Sequence, residues 1–385
     1  MDRRSFLRLG LVGAGTAAFA GSVWERAWAA TAQPGPGPYG PLEVPDANGL
    51  RLPAGFSGRI VARSREPVAG TSYAWHDAPD GGACFAMVDG GWVYASNSEI
   101  YGTGGASGLR FRVDGEVDSA YRILNGTNRN CAGGATPWGT WLSCEEVRRG
   151  FVYETDPTGV QPAARRAAMG RFKHEAAACD PLELAIYLTE DEPDGCFYRF
   201  RPMTWTDLSS GVLDVMVAPR GASVDVSWQP VPKPGGRGTA TRYQVTGARR
   251  FDGGEGCYYA AGVCYFTTKG NNRVWAYDTV NERLDVLYDD SLVPTGDAPL
   301  TGVDNITGAL SGDLFVAEDG GNMEINLITP DGVVAPFLRL TGQRGSEITG
   351  PAFSPDGRRL YFSSQRGTTG DSSGGITYEV TGPFR

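Results

Sequence analysis

The sequence predicts an all-β chain folded as a six-bladed β-propeller, with an insertion near residues 203–248. The 385 residues include 55 Gly and 25 Pro, and there is almost no helical periodicity beyond the first thirty positions, so turns should be frequent and helices few. One pattern, a turn followed by a short aromatic and aliphatic strand with an abrupt polar or charged exit, recurs six times. The recurrences keep nearly the length of one propeller blade.

The six strands are Trp92-Val-Tyr94-Ala-Ser-Asn97-Ser-Glu99, Thr140-Trp141-Leu142-Ser-Cys-Glu145-Glu146, Leu184-Ala-Ile-Tyr187-Leu-Thr-Glu190-Asp191, Val263-Cys-Tyr265-Phe-Thr-Thr-Lys269, Asp313-Leu-Phe315-Val-Ala-Glu318-Asp319 and Leu360-Tyr361-Phe-Ser-Ser-Gln365-Arg366. Anchored on Tyr94, Leu142, Tyr187, Tyr265, Phe315 and Tyr361, the intervals are 48, 45, 78, 50 and 46 residues. The long interval holds the Pro/Gly/Ser-rich stretch read as the insertion. A β-sandwich would not repeat one signature at such even spacing.

Residues 1–29 read as a cleaved export signal, and 30–385 as a single propeller domain. Arg3-Arg4 sits in a charged leader, a Gly/Ala-diluted apolar stretch follows, and Ala27-Trp28-Ala29 offers small residues for cleavage. The arginine pair predicts the twin-arginine translocase as export partner and a periplasmic or extracellular location. The apolar stretch is too short to span a bilayer, so no stable membrane anchor is expected. Without the signal the chain has 31 basic and 42 acidic side chains, a net charge of −11. Such acidity argues against nucleic acid as a partner and suits a protein that holds cations. A monomer is expected. Seven cysteines leave one over if the rest pair, and some pairing is expected after export.

Upstream of each repeated strand lies a polar or acidic residue among small ones: His76-Asp77, Asn130-Cys131, His174-Glu175, Gly254-Glu255, Asp304-Asn305 and Glu347. If these open the innermost strand of each blade, its antiparallel neighbour ends on the same face. Asp77, Cys131, Glu175, Glu255, Asp304 and Glu347 then ring the channel, with Glu99, Glu145/Glu146, Glu190/Asp191, Lys269, Glu318/Asp319 and Arg366 outside them. So many converging carboxylates require cations between them. Oxygen donors suit calcium or magnesium, and a Cys131 thiolate would add a softer metal such as iron.

Asn130-Cys131-Ala-Gly-Gly-Ala-Thr-Pro137-Trp138-Gly-Thr-Trp-Leu-Ser-Cys-Glu145-Glu146 resembles the signature of the PhoX-type alkaline phosphatases. Gly170-Arg-Phe-Lys173-His174-Glu175 and Thr349-Gly-Pro-Ala-Phe-Ser-Pro355-Asp356-Gly resemble two further blocks, and Asn97-Ser98-Glu99 is similar to the family's Asn-His-Glu. The resemblance implies an exported propeller that hydrolyses small-molecule phosphate monoesters with Ca2+ and Fe3+ in its channel. By position it implies Cys131 and Glu175 as iron-associated ligands and Glu146, Glu255 and Asp304 as calcium-associated acids, with Asn97 and Glu99 in a matching block. The family's arginine two residues before the acid at Glu255, expected to grip phosphate, is replaced here by Gly253. Lys173, Lys269 and Arg366, with Arg250 as a further candidate, are then the side chains to take its place. The chemistry implied is metal-assisted phosphoryl transfer. Two alternatives are a calcium-dependent lactonase or esterase with His76 or His174 as general base, and a non-catalytic exported propeller that binds a ligand or partner.

Overall fold

The computed structural model describes residues 31–294 and 298–385, so the export signal read at residues 1–29 lies outside the described residues. The described residues form six antiparallel sheets, each running from an inner to an outer edge. The innermost strands are Pro79–Ala86, Asn130–Ala135, His174–Asp180, Gly254–Ala260, Val303–Gly308 and Ile348–Phe353. Each touches the next, and the sixth touches the first, so the sheets are blades of a closed propeller. The ring is completed by strand Ser57–Arg63, which pairs with Ile376–Thr381 as the outer strand of the sixth blade. Among the described residues no helix is long and apolar enough to cross a membrane.

The repeated strands are the second strands of the blades: Trp92–Ser98, Trp141–Glu145, Ala185–Glu190, Val263–Thr268, Leu314–Glu318 and Arg359–Ser364. They read as nearly unbroken apolar runs because neighbouring blades cover both faces. All six anchors are buried, and rings meet across the seams. Tyr94 stacks on Tyr361 at 5.1 Å, and Phe197 on Phe266 at 4.2 Å.

The added length in the middle of the chain is divided. Residues 203–217 mostly belong to the outer hairpin of the third blade, Phe197–Thr204 with Asp207–Val217. Beyond it, Ser223–Asp225 pairs with the outer strand of the fourth blade and Ser227–Pro230 with that of the third. The segment around residues 234–236 then folds onto the loops at the channel mouth.

Close approach of the innermost strands narrows the channel. A Cβ on Gly81 would lie 2.5 Å from the Cα of Ala132, and one on Gly256 2.6 Å from the nitrogen of Ile306. The space left among Gly81, Ala132, Ala176, Gly256 and Gly350 is a void of about 40 Å³. The seven cysteines are all free thiols. The expected pairing is not seen: Cys257 and Cys264, on adjacent strands of the fourth blade, have their sulfurs in contact at 3.4 Å without a bond.

Candidate metal centre

Every innermost strand breaks register once, near its start. The paired residues flanking the breaks are Pro79 and Gly82, Asn130 and Gly133, His174 and Ala177, Gly254 and Cys257, Val303 and Ile306, and Thr349 and Ala352. The first unpaired residue of each is Asp80, Cys131, Glu175, Glu255, Asp304 and Gly350. A bulge re-aims a side chain, and here it does so in every blade. In the second strands, the residue after the last ladder pair is Glu99, Glu146, Asp191, Lys269, Asp319 and Gln365. Two six-membered rings in register therefore face one channel mouth.

This register corrects several sequence assignments, among them the outer-ring place of the sixth blade, where Gln365 stands instead of Arg366. In the first blade the inner-ring residue is Asp80, while Asp77 pairs with Arg65 at 2.7 Å away from the ring. In the sixth blade Gly350 holds the inner position, and Glu347 reaches inward from three residues earlier. Glu145, Glu190 and Glu318 end their strands facing away from the rings. Glu145 accepts from the Asn128 and Phe151 backbone, Glu190 from Tyr198 and Arg242, and Glu318 from the Thr301 N–H.

Three groups of donors converge, with ligand atoms within 4.8 Å of one another in each: Cys131 with Glu146 and Glu175, Glu175 with Glu255 and Asp304, and Asp80 with Glu99 and Glu347. Glu175 belongs to two groups. Both of its carboxylate oxygens are fully buried without a hydrogen-bond partner, which is unfavourable for a lone charge. The crowding shows in the proton affinities. Burial, then the Glu99 charge, pushes Asp80 up to about 7. Burial, then Glu99, raises Glu146 to about 8. Burial with neighbouring acids also lifts Glu175, Glu255, Asp304 and Glu347 well above the carboxylate range. The Cys131 thiol is raised by burial and by Asp80, Glu175 and Glu146. A set of oxygen donors with one thiol, too acidic in sum to stay ionised unaided, fits hard divalent cations plus one softer ion.

Each group has a basic side chain at its edge, and the third has two, since Arg129 also lies 3.9 Å from Glu99. Lys173 Nζ lies 2.7 Å from Glu146 and 2.5 Å from Asp191; Lys269 Nζ lies 2.9 Å from Glu255; and Arg366 donates to Glu347 at 2.7 Å. Burial pulls the two lysines down, but Glu146 and Asp191 for Lys173, and Glu255 and Asp304 for Lys269, outweigh it and keep both charged. Arg250, by contrast, reaches the Asp194 carbonyl and the Cys196 sulfur.

Asn97 is placed differently from Glu99. Its Oδ1 accepts from Trp141 Nε1 at 2.9 Å and Ser143 Oγ at 2.8 Å, and its Nδ2 donates to the carbonyls of Cys131 and Ala132 at 3.0 and 2.8 Å. The side chain is fully used in fixing the bulge that carries Cys131 and offers no lone pair to a metal. Thr189 and Thr267, at the same position in the second strands of the third and fourth blades, donate to the Glu255 and Asp304 carbonyls, each at 2.5 Å. We expect Asn97→Ala to cost about 2 to 4 kcal/mol, measured by chemical denaturation, because four buried groups lose their partners.

Both histidines are buried outside the three groups. His76 Nδ1 meets Ser107 Oγ at 2.8 Å, and His174 packs on Phe172 with ring centroids 3.6 Å apart. Burial drives the His174 imidazole down to about 3. A neutral, enclosed ring is unsuited to the general-base role in the lactonase alternative.

The model of the family described as alkaline phosphatase PhoX matches residues 92–150 and 147–367. No curated protein sequence matches the chain. Among solved structures, PhoX of Pseudomonas fluorescens in complex with vanadate, a transition state analogue, superposes with a TM-score of 0.72 at 16% identity, covering 91% of this chain and 98% of that one. A Bacteroides thetaiotaomicron protein of unknown function gives a TM-score of 0.51 at 10% identity over 85% of this chain and 76% of its own.

Proposed function

Since the chain belongs to the alkaline phosphatase PhoX family, we propose that it is an exported hydrolase of small-molecule phosphate monoesters working at the two rings of the channel mouth. The observation that carries this reading is Glu175, a buried carboxylate with no partner that is shared by two donor groups. Cys131, Glu146 and Glu175 would hold the softer ion, assigned as Fe3+. Glu255 and Asp304 with Glu175, and Asp80 with Glu99 and Glu347, would hold Ca2+. Once bound, such cations polarise phosphate oxygens and offset charge on the leaving oxygen.

The chain's own residues supply the rest. Lys173, Lys269 and Arg366 stand one at each donor group, placed to grip the phosphate and orient the ester. Position 253 cannot readily carry a side chain that does the same. Its φ is +67°, a conformation that favours glycine, and a Cβ there would come within 3.3 Å of Asp191. Asn97, Thr189 and Thr267 act as positioning residues by fixing the bulge carbonyls. The narrow channel beneath limits water to the mouth.

The assignment of residues 1–29 to the twin-arginine route fits this reading, because ions loaded in the cytoplasm must be exported inside a folded protein. The test is metal analysis of the mature protein together with hydrolysis of p-nitrophenyl phosphate. Calcium with iron, and turnover lost on Cys131→Ala, is the expected result. Metal-free protein that stays folded and inert would refute it.

A further inference from the structure

Beside the acidic mouth, between the second and third blades, lies a group of arginines that form no ion pair among the described residues. The loop after Glu146 carries Arg149 and Phe151, and Arg171 leads into the ring strand that begins at His174. Arg171 lies over the Phe151 ring at 3.9 Å and Arg165 at 4.6 Å. Arg171 Nε and Nη2 both donate to the Arg149 carbonyl, at 3.0 and 2.6 Å. Arg149 in turn donates to the Gly235 carbonyl at 2.7 Å, and the Arg171 N–H to Pro234 O at 2.9 Å. The inserted segment is thereby tied to both arginines and presents Arg237 next to them.

None of these four arginines forms an ion pair among the described residues, although acids outnumber bases in the chain. Arg242, at the neighbouring part of the mouth, has three carboxylate partners: Glu190, Glu192 and Asp194. Glu145, the acid whose charge acts on Arg171, already accepts from Asn128 and Phe151. Arg149 Nε is buried with no hydrogen-bond partner, and Arg165 and Arg237 are exposed. Burial, then the Arg149 charge, outweigh Glu145 and, with Arg165 and Arg237, weaken the hold of Arg171 on its proton. Like charges held together without counter-charges are stabilised by an anion.

We propose that Arg149, Arg165, Arg171 and Arg237 form an anion subsite on the rim of the channel mouth, which takes a second anionic group, phosphate or carboxylate, on the phosphate monoester being hydrolysed. This rests on the reading of the mouth as a phosphatase site. The aromatic base and the tether to the inserted segment fix the guanidinium groups against one wall, so the second group is recognised at a set distance from the metal-held phosphate. Esters with an uncharged leaving group gain nothing from it.

The test compares the wild type with an Arg165→Ala/Arg237→Ala double variant, both exposed side chains, on p-nitrophenyl phosphate, 3-phosphoglycerate and fructose 1,6-bisphosphate. The ratio of kcat/KM for the bisphosphate to that for p-nitrophenyl phosphate should fall at least tenfold, mainly through KM. A fall for the bisphosphate alone identifies phosphate as the second group, and a fall for both natural esters admits carboxylate as well. Unchanged ratios overturn the subsite and leave the phosphatase reading standing. Calorimetric titration with fructose 1,6-bisphosphate separates the opposite case. If no ester is turned over, a tenfold weaker Kd in the variant upholds the subsite while the phosphatase reading falls, and an equal Kd overturns the subsite.

Discussion

Glu175→Gln should lower kcat/KM for p-nitrophenyl phosphate roughly a thousandfold while making the metal-stripped protein more stable. The side chain keeps its shape but loses the charge shared by two donor groups, so both groups release their ions together. In the stripped protein the same carboxylate is buried with two unpartnered oxygens. Burial and the neighbouring acids raise it well above the carboxylate range, so it must take up a proton to stay buried, and glutamine removes that cost, on the order of 1 to 3 kcal/mol. Metal analysis should show loss of ions from both groups, and denaturation after chelation should show the higher midpoint. Were Glu175 only a core residue, activity and stability would fall together; that result would exclude the shared-ligand role.

Chelation should also give the protein an unusual pH dependence. The buried acids take up protons more readily folded than unfolded, with Asp80 near 7 and Glu146 near 8. Between the ordinary carboxylate range and those values the folded state therefore holds more protons than the unfolded one, and stability falls as pH rises. Going from pH 5.5 to 8, the stripped protein should lose on the order of 5 kcal/mol through these two groups, or roughly 6 °C in Tm for a chain of this size. Added calcium should abolish the loss at pH 8, because cations replace the protons. A stripped protein that is equally stable at both pH values would show that the acids ionise without assistance.

The propeller was legible in the sequence because each second strand is covered on both faces and must be apolar throughout, which leaves an aromatic signature such as Trp92-Val-Tyr94 in every blade. The rings were legible for a related reason: the acids recur in phase with those strands. The exact inner-ring residue was less visible in the first blade, where Asp77 and Asp80 both precede the repeated strand. A small residue follows the ring position in Asp80-Gly81, Cys131-Ala132, Glu175-Ala176 and Glu255-Gly256, but Asp77 is followed by one too, Ala78, so only the strand register separates the two acids. Asn97 sits beside a charged ring position in a motif that promises a ligand. Only the three-dimensional register reveals that its amide is already engaged by the next blade. The arginine group on the rim was invisible for another reason: it is assembled from residues 149, 165, 171 and 237, which share no motif.

The void of about 40 Å³ beneath the rings has room for about one water molecule. A propeller is often pictured as a pierced disc, but here small residues let the innermost strands close in on the axis. Arriving ester, departing alcohol and released orthophosphate would then all use a single doorway. If orthophosphate leaves by the mouth, then while it lingers it excludes the next ester, so turnover would slow as the surrounding phosphate concentration climbs. An enzyme built this way would be slowed by its own product whenever phosphate is plentiful.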